Sequence, residues 1–110
     1  MSSKIVVIIT SADKEVIHTA VIYARSTLKY NWLDDVKTIF FGPSVQVVAN
    51  DLELAQETKK LCSTGEAIAC KFISDNKGTS TALTKLGVKI EYVGTIIADL
   101  IKEGYVPMVW

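Results

Sequence analysis

Apolar side chains recur along this chain in two alternating rhythms. Short β-branched runs bounded by polar residues read as strands buried on both faces, and longer stretches with apolar positions every third or fourth residue read as amphipathic helices. Residues 5–9, Ile-Val-Val-Ile-Ile, form the first strand. Thr10-Ser11-Ala12-Asp13 turns the chain, with Ser11 or Asp13 as a helix cap. Residues 14–30 predict a helix that buries Ile17, Val21, Ala24 and Leu28 and leaves Lys14, Arg25 and Lys29 to solvent. A second strand at 36–41 is broken by Gly42-Pro43-Ser44, and Ser44 caps a short apolar turn at 45–49. Asn50 or Asp51 starts a helix through Cys62, with Leu54, Thr58 and Leu61 on its inner stripe and Gly65 as its stop. A strand at 66–72 runs out into a polar loop at 74–78, followed by a short helix at 79–85 and a strand at 88–92. Gly94 and Thr95 open a last helix carrying Ile97, Leu100 and Ile101 inward. Pro107 begins a terminal strand to Trp110, a place where a missing backbone donor is tolerated.

Strand and helix alternate with no hairpin signal, so consecutive strands must be joined by crossovers. The expected fold is one three-layer α/β/α sandwich over residues 1–110, with a mostly parallel sheet of about five strands. A chain of 110 residues has no room for a second core, and a hydrophobic content of 49% supplies the one it needs.

Charge narrows the partners. Lys and Arg number 12, Asp and Glu number 12, and the formal net charge is zero. That balance offers nothing to phosphate backbones or anionic lipid, so neither nucleic acid nor membrane is expected as a partner. A neutral, apolar-rich small domain has weak colloidal protection as a monomer, which favours a homo-oligomer. The apolar run near the start is far shorter than the ~20 residues of a spanning helix and lacks a signal peptide's cleavage pattern. A cytoplasmic location follows as an expectation, with reduced thiols and no structural disulfide.

The candidate chemistry is sulfur chemistry. Cys70 falls near the carboxyl end of a strand, where α/β sheets place their ligands. Lys71 and Lys77 flank it, and cations stabilise a thiolate over a thiol. Cys62, near the end of the preceding helix, is a packed helical cysteine or a second thiol that relays sulfur from Cys70. Seven residues separate the two cysteines, unlike a CxxC metal pair, and no histidine cluster completes a ligand set, so no metal is expected. His18, one position beyond Ile17 on the first helix, reads as a boundary residue that becomes a base only if the fold sets it beside the thiol. The turn after the first strand has no glycine and carries Asp13, which would repel phosphate. Gly42-Pro43-Ser44 is a weak anion nest at best.

These segments together resemble the DsrE/DsrF-like family, small α/β proteins of sulfur oxidation and sulfur relay. The likeness runs from the opening Lys4-Ile5-Val6-Val7-Ile8-Ile9 strand and its long helix, through Phe40-Phe41-Gly42, to the cysteine strand. Its ending, Val93-Gly94-Thr95-Ile96-Ile97-Ala98-Asp99-Leu100-Ile101-Lys102-Glu103-Gly104 before a short strand, is especially similar. In sulfur-transferring members the active cysteine ends the third strand, a position matched by Cys70, and a loop with a basic residue before glycine follows. Lys77-Gly78 stands where Arg-Gly is common, and Cys62 departs from the commonest pattern.

The resemblance implies a persulfide carrier that takes sulfane sulfur from one protein and passes it to another. It implies assembly as a trimer or hexamer, with itself or with related subunits, and no cofactor. Two other classes stand beside it. One is a non-catalytic oligomeric subunit in which Cys70 is inert. The other is a flavin- or nucleotide-binding module, disfavoured by the missing glycine loop.

Overall fold

The structure, a computed structural model, describes residues 3–110. The two rhythms become β1 (Lys4–Ile9), α1 (Lys14–Lys29), β2 (Asp35–Phe40), α2 (Ser44–Asn50), α3 (Leu52–Thr64), β3 (Glu66–Cys70), α4 (Lys71–Asn76), α5 (Ser80–Lys85), β4 (Lys89–Glu91), α6 (Val93–Lys102) and β5 (Val106–Val109). The strands form one sheet in the order β4-β3-β2-β1-β5, and every pairing is parallel. The expected α/β sandwich is therefore present, with a sheet that is wholly rather than mostly parallel.

Strand alternation divides the core in two. Val7, Ile9, Val36, Phe40 and Ala69 meet Ile17, Val21, Leu54, Leu61 and Leu83 from α1, α3 and α5 on one face. Val6, Ile8, Ile39, Ile68 and Cys70 meet Val93 and Leu100 of α6, with Tyr105, on the other. Three connections thus run over the first face, and α6 alone carries the chain back over the second to set β5 beside β1.

Local chemistry explains the boundaries. Asp13 caps α1, its carboxylate accepting the amides of Glu15 and Val16 at 2.8 and 3.2 Å. Asp51 does the same for α3 through Leu54 at 3.0 Å. Ser44, expected as a cap, is instead buried and donates its hydroxyl to the carbonyls of Ile9 and Phe41, pinning the end of β1 to the start of α2. Gly65 permits a close approach, since a Cβ there would lie 2.4 Å from Leu28 Cδ1. α6 begins at Val93 rather than at Gly94, and its inner stripe is Val93, Ile96, Ile97 and Leu100. Ile101, expected inward, is 47% exposed because it falls off that stripe.

The amino-terminal half of the α6 face carries a row of charge that sequence patterning missed. The Tyr105 hydroxyl donates to Asp35, whose carboxylate is 3.5 Å from Lys37. Lys37 reaches Glu66 at 3.1 Å, and Glu66 reaches Lys89 at 3.2 Å. Partial burial works to raise the carboxyl of Asp35, but Tyr105 and Lys37 outweigh it and hold it below its ordinary value. Glu66 is likewise pushed up by burial and pulled further down by Lys37 and Lys89.

Folded values below the unfolded ones mean stability that is fully present above the usual carboxylate range of ~4. It is lost as pH falls through the folded values. Tyr105→Phe is therefore expected to flatten the acid limb of the stability curve. Urea titrations from neutral to acid pH measure this, and an unchanged acid limb would remove Asp35 from the account.

Candidate functional site

β3 ends at Cys70 because its support ends there. Its ladder with β2 closes at Phe40 opposite Ala69, and its ladder with β4 closes at Cys70 opposite Glu91. The chain does not continue as strand to residue 72 and then as a polar loop. It enters α4 at once, held by a Lys71–Asp75 ion pair one turn apart at 2.8 Å. Ser74, fully buried, bonds Ser80 at 2.8 Å and so ties α4 to α5. Gly78, at φ +67°, makes the turn between these helices, a backbone state natural to glycine.

The edge at Cys70 is a topological switch point. From β3 the chain leaves for α4 and α5, which lead back along the α1/α3 face, whereas from the adjacent β4 it leaves for α6 on the opposite face. Two neighbouring strands whose exits diverge open a crevice between their carboxyl ends, where open α/β sheets bind ligands. Cys70 ends one of these two strands, and Glu91 and Tyr92 stand at the end of the other. Cys70 is a free thiol, 7% exposed, with aliphatic neighbours of the α6 cluster beneath it. It holds the N-cap position of α4 with no side-chain capping bond, so no side-chain acceptor occupies the first-turn amides beside the sulfur.

The flanking lysines differ. Asp75 engages the Lys71 ammonium and raises its pKa, with smaller contributions from Tyr92 and Glu91. Lys77 is exposed and forms none of the ion pairs among the described residues. It caps the far end of α4, about 10 Å of helix rise from Cys70.

The two thiols are not brought together. Cys62 packs against the α1/α3 cluster, Cys70 belongs to the α6 cluster, and the sheet lies between them. Cys62 is half-buried, and burial pushes its pKa up. Its Cβ sits close beneath Gly87, 3.0 Å from where a Cβ would stand there. His18 also lies on the α1 side, 4.0 Å from Glu53, and is not beside Cys70. It lines an open groove of about 360 Å³ on the outer surface of α1 with Thr19, Ile22, Tyr23, Ser26 and Trp32. Tyr23 packs against Trp32 and Trp110 with ring centroids 6.2 and 6.4 Å apart. The Ser44 hydroxyl points into the protein, so Gly42-Pro43-Ser44 offers no side-chain donor to an anion. Among the described residues, no three His, Cys, Asp or Glu side chains are grouped to hold a metal ion. No helix there is long and apolar enough to cross a membrane.

Glu91, Tyr92 and Phe41 escaped the sequence reading. Their signal is pairing register across three strands, which no local window contains.

No protein-family model and no curated protein matches the chain. Solved structures do. The conserved protein of unknown function BT1422 from Bacteroides thetaiotaomicron superposes with a TM-score of 0.90 at 24% identity, over 98% of this chain and 95% of that one. The ychN protein from E. coli gives 0.79 at 17% identity, over 98% and 99%. MTH1491 from Methanobacterium thermoautotrophicum, also a protein of unknown function, gives 0.79 at 18% identity over the same shares. The chain is thus an α/β protein with the fold of these proteins.

Proposed function

We propose that this chain is a small sulfur carrier of the DsrE/DsrF-like kind, holding sulfane sulfur as a persulfide on Cys70. The observation that supports the reading is a free cysteine at the switch point of the sheet, the place where such folds bind ligands. The step needs no cofactor. Cys70 Sγ, as thiolate, attacks the outer sulfur of a donor persulfide, forming a new S–S bond. The donor's own S–S bond breaks, its thiolate leaves with the electron pair, and the persulfide proton passes to it. The reverse displacement by an acceptor thiol unloads the carrier.

Asp75 takes the charge of Lys71 and Lys77 stands at the far end of α4, so the reading rests on the position of the thiol rather than on a cation beside it. Cys62 serves as a packed side chain rather than a relay, because the sheet separates it from Cys70. The partners in this reading are donor and acceptor proteins of the cytoplasm, and copies of this chain or related subunits in a trimer or hexamer.

Intact-mass measurement after incubation with inorganic polysulfide tests the reading. The expected result is a gain of sulfur that a thiol reductant reverses and prior alkylation of the native protein blocks. No gain at any polysulfide concentration would end it.

The 7% exposure of Cys70 favours a second reading, a non-catalytic subunit in which the thiol is packing alone. Alkylation separates the two. A carrier thiol reacts in the native protein, whereas a packed one reacts only after denaturation.

A further inference from the structure

The end of β4 beside Cys70 carries groups that the packing of the domain does not use. Glu91 pairs with Cys70 in the parallel ladder, so both side chains leave the same face about one strand spacing (~4.8 Å) apart. It is exposed and joins none of the ion pairs among the described residues. Tyr92 follows it and is 63% exposed, and Phe72, in the first turn after Cys70, is 66% exposed. On the other side, the Phe41 amide still bonds the Ile9 carbonyl at 3.0 Å, which extends the β2 ladder one residue and sets Phe41, 38% exposed, level with Cys70. Three exposed aromatic residues from the ends of three neighbouring strands therefore stand around the thiol, within about two strand spacings (~10 Å). Clustered exposed apolar surface marks an interaction site, and Glu91, a rim carboxylate without an ion pair beside a Lys71 already held by Asp75, sets the sign of what docks there.

We infer that this rim is the docking surface for a partner protein that presents its persulfide cysteine on an apolar loop beside a basic side chain. The apolar flank covers Phe41, Phe72 and Tyr92, and the cation meets Glu91. The nature of the transferred group rests on the carrier reading above; the surface and its charge preference rest on the rim itself. Transfer is the displacement already described, with the partner as the donor persulfide, and it consumes no oxidant.

Two synthetic peptide persulfides test this with the full chain. Both have leucines around the cysteine, one with lysine beside it and the other with glutamate. The readout is the ratio of their second-order rates of sulfur transfer to Cys70, followed by mass. In wild type, the lysine peptide is expected to lead the ratio by about fivefold beyond its value in Glu91→Gln, the worth of one exposed charge pair. Glu91→Lys inverts the preference. Salt at about 1 M, where the screening length is ~3 Å, shrinks it. Phe72→Ala with Tyr92→Ala lowers both rates. A ratio that Glu91→Gln and salt leave unchanged overturns the docking surface while loading from inorganic polysulfide keeps the carrier reading. Failure to load from either peptide or from polysulfide removes the carrier reading and this inference with it.

Discussion

Cys70→Ser protein is expected to gain no sulfur from polysulfide, while Cys62→Ser protein loads as wild type does. The contrast is demanding because Cys62 is the more exposed of the two thiols. Exposure is not the deciding variable in this fold. Position decides instead: Cys62 lies under Gly87 on the α1/α3 side, across the sheet from Cys70 and the switch point. Serine at 70 fills nearly the same volume and keeps the N-cap position of α4, where a hydroxyl is well tolerated, so the variant folds. Its alkoxide is not formed near neutral pH and cannot displace sulfur from sulfur. Mass spectra of both variants after identical exposure decide the matter. Equal loading of Cys70→Ser and wild type would move the chemistry to Cys62 and sink the proposal.

Phe40→Ala is expected to cost about 3–5 kcal/mol, a large share of the ~5–15 kcal/mol that holds a domain of this kind together. Phe40 heads the fully buried side chains by volume, lies on β2 between β1 and β3, and faces the α1/α3 cluster. Removing its ring leaves a void that a wholly parallel sheet, fixed by ladders on both sides of β2, cannot close. The melting temperature should fall by more than about 10 °C. Its neighbour makes the control. Phe41→Ala removes the same ring one residue later, from a side chain that is 38% exposed, and is expected to cost clearly less. Urea unfolding of the pair reads the difference directly. Similar losses from the two would contradict the alternation of faces on which the placement of Cys70 also depends.

Much of the fold was legible because its signals are local. The β-branched run of β1 and the spacing of Ile17, Val21 and Ala24 declare themselves within a few residues, and the caps narrow to Ser11 or Asp13 and to Asn50 or Asp51, of which the structure uses Asp13 and Asp51. The misreadings sit where a distant neighbour decides. The strand at Cys70 stops because β2 and β4 stop pairing with it, and Lys71-Phe72-Ile73 then takes the helix that the Lys71–Asp75 pair supports. Ser44 gives up its capping role because the Ile9 carbonyl, far away in sequence, is the better buried acceptor. Lys37 and Glu66 lie 29 residues apart in sequence, and only the pairing of β2 with β3 brings them together.

Sequence alone determined that this chain alternates strand and helix, that its sheet is mostly parallel, and that one cysteine lies near a strand's carboxyl end. Periodicity encodes those facts in short windows. The tertiary structure decided which thiol stands at the switch point of the sheet, because the face of a strand residue and the exit of its loop depend on strand order. It also decided that Cys62 lies across the sheet and that Glu91 stands beside Cys70, since pairing register joins residues no local pattern connects.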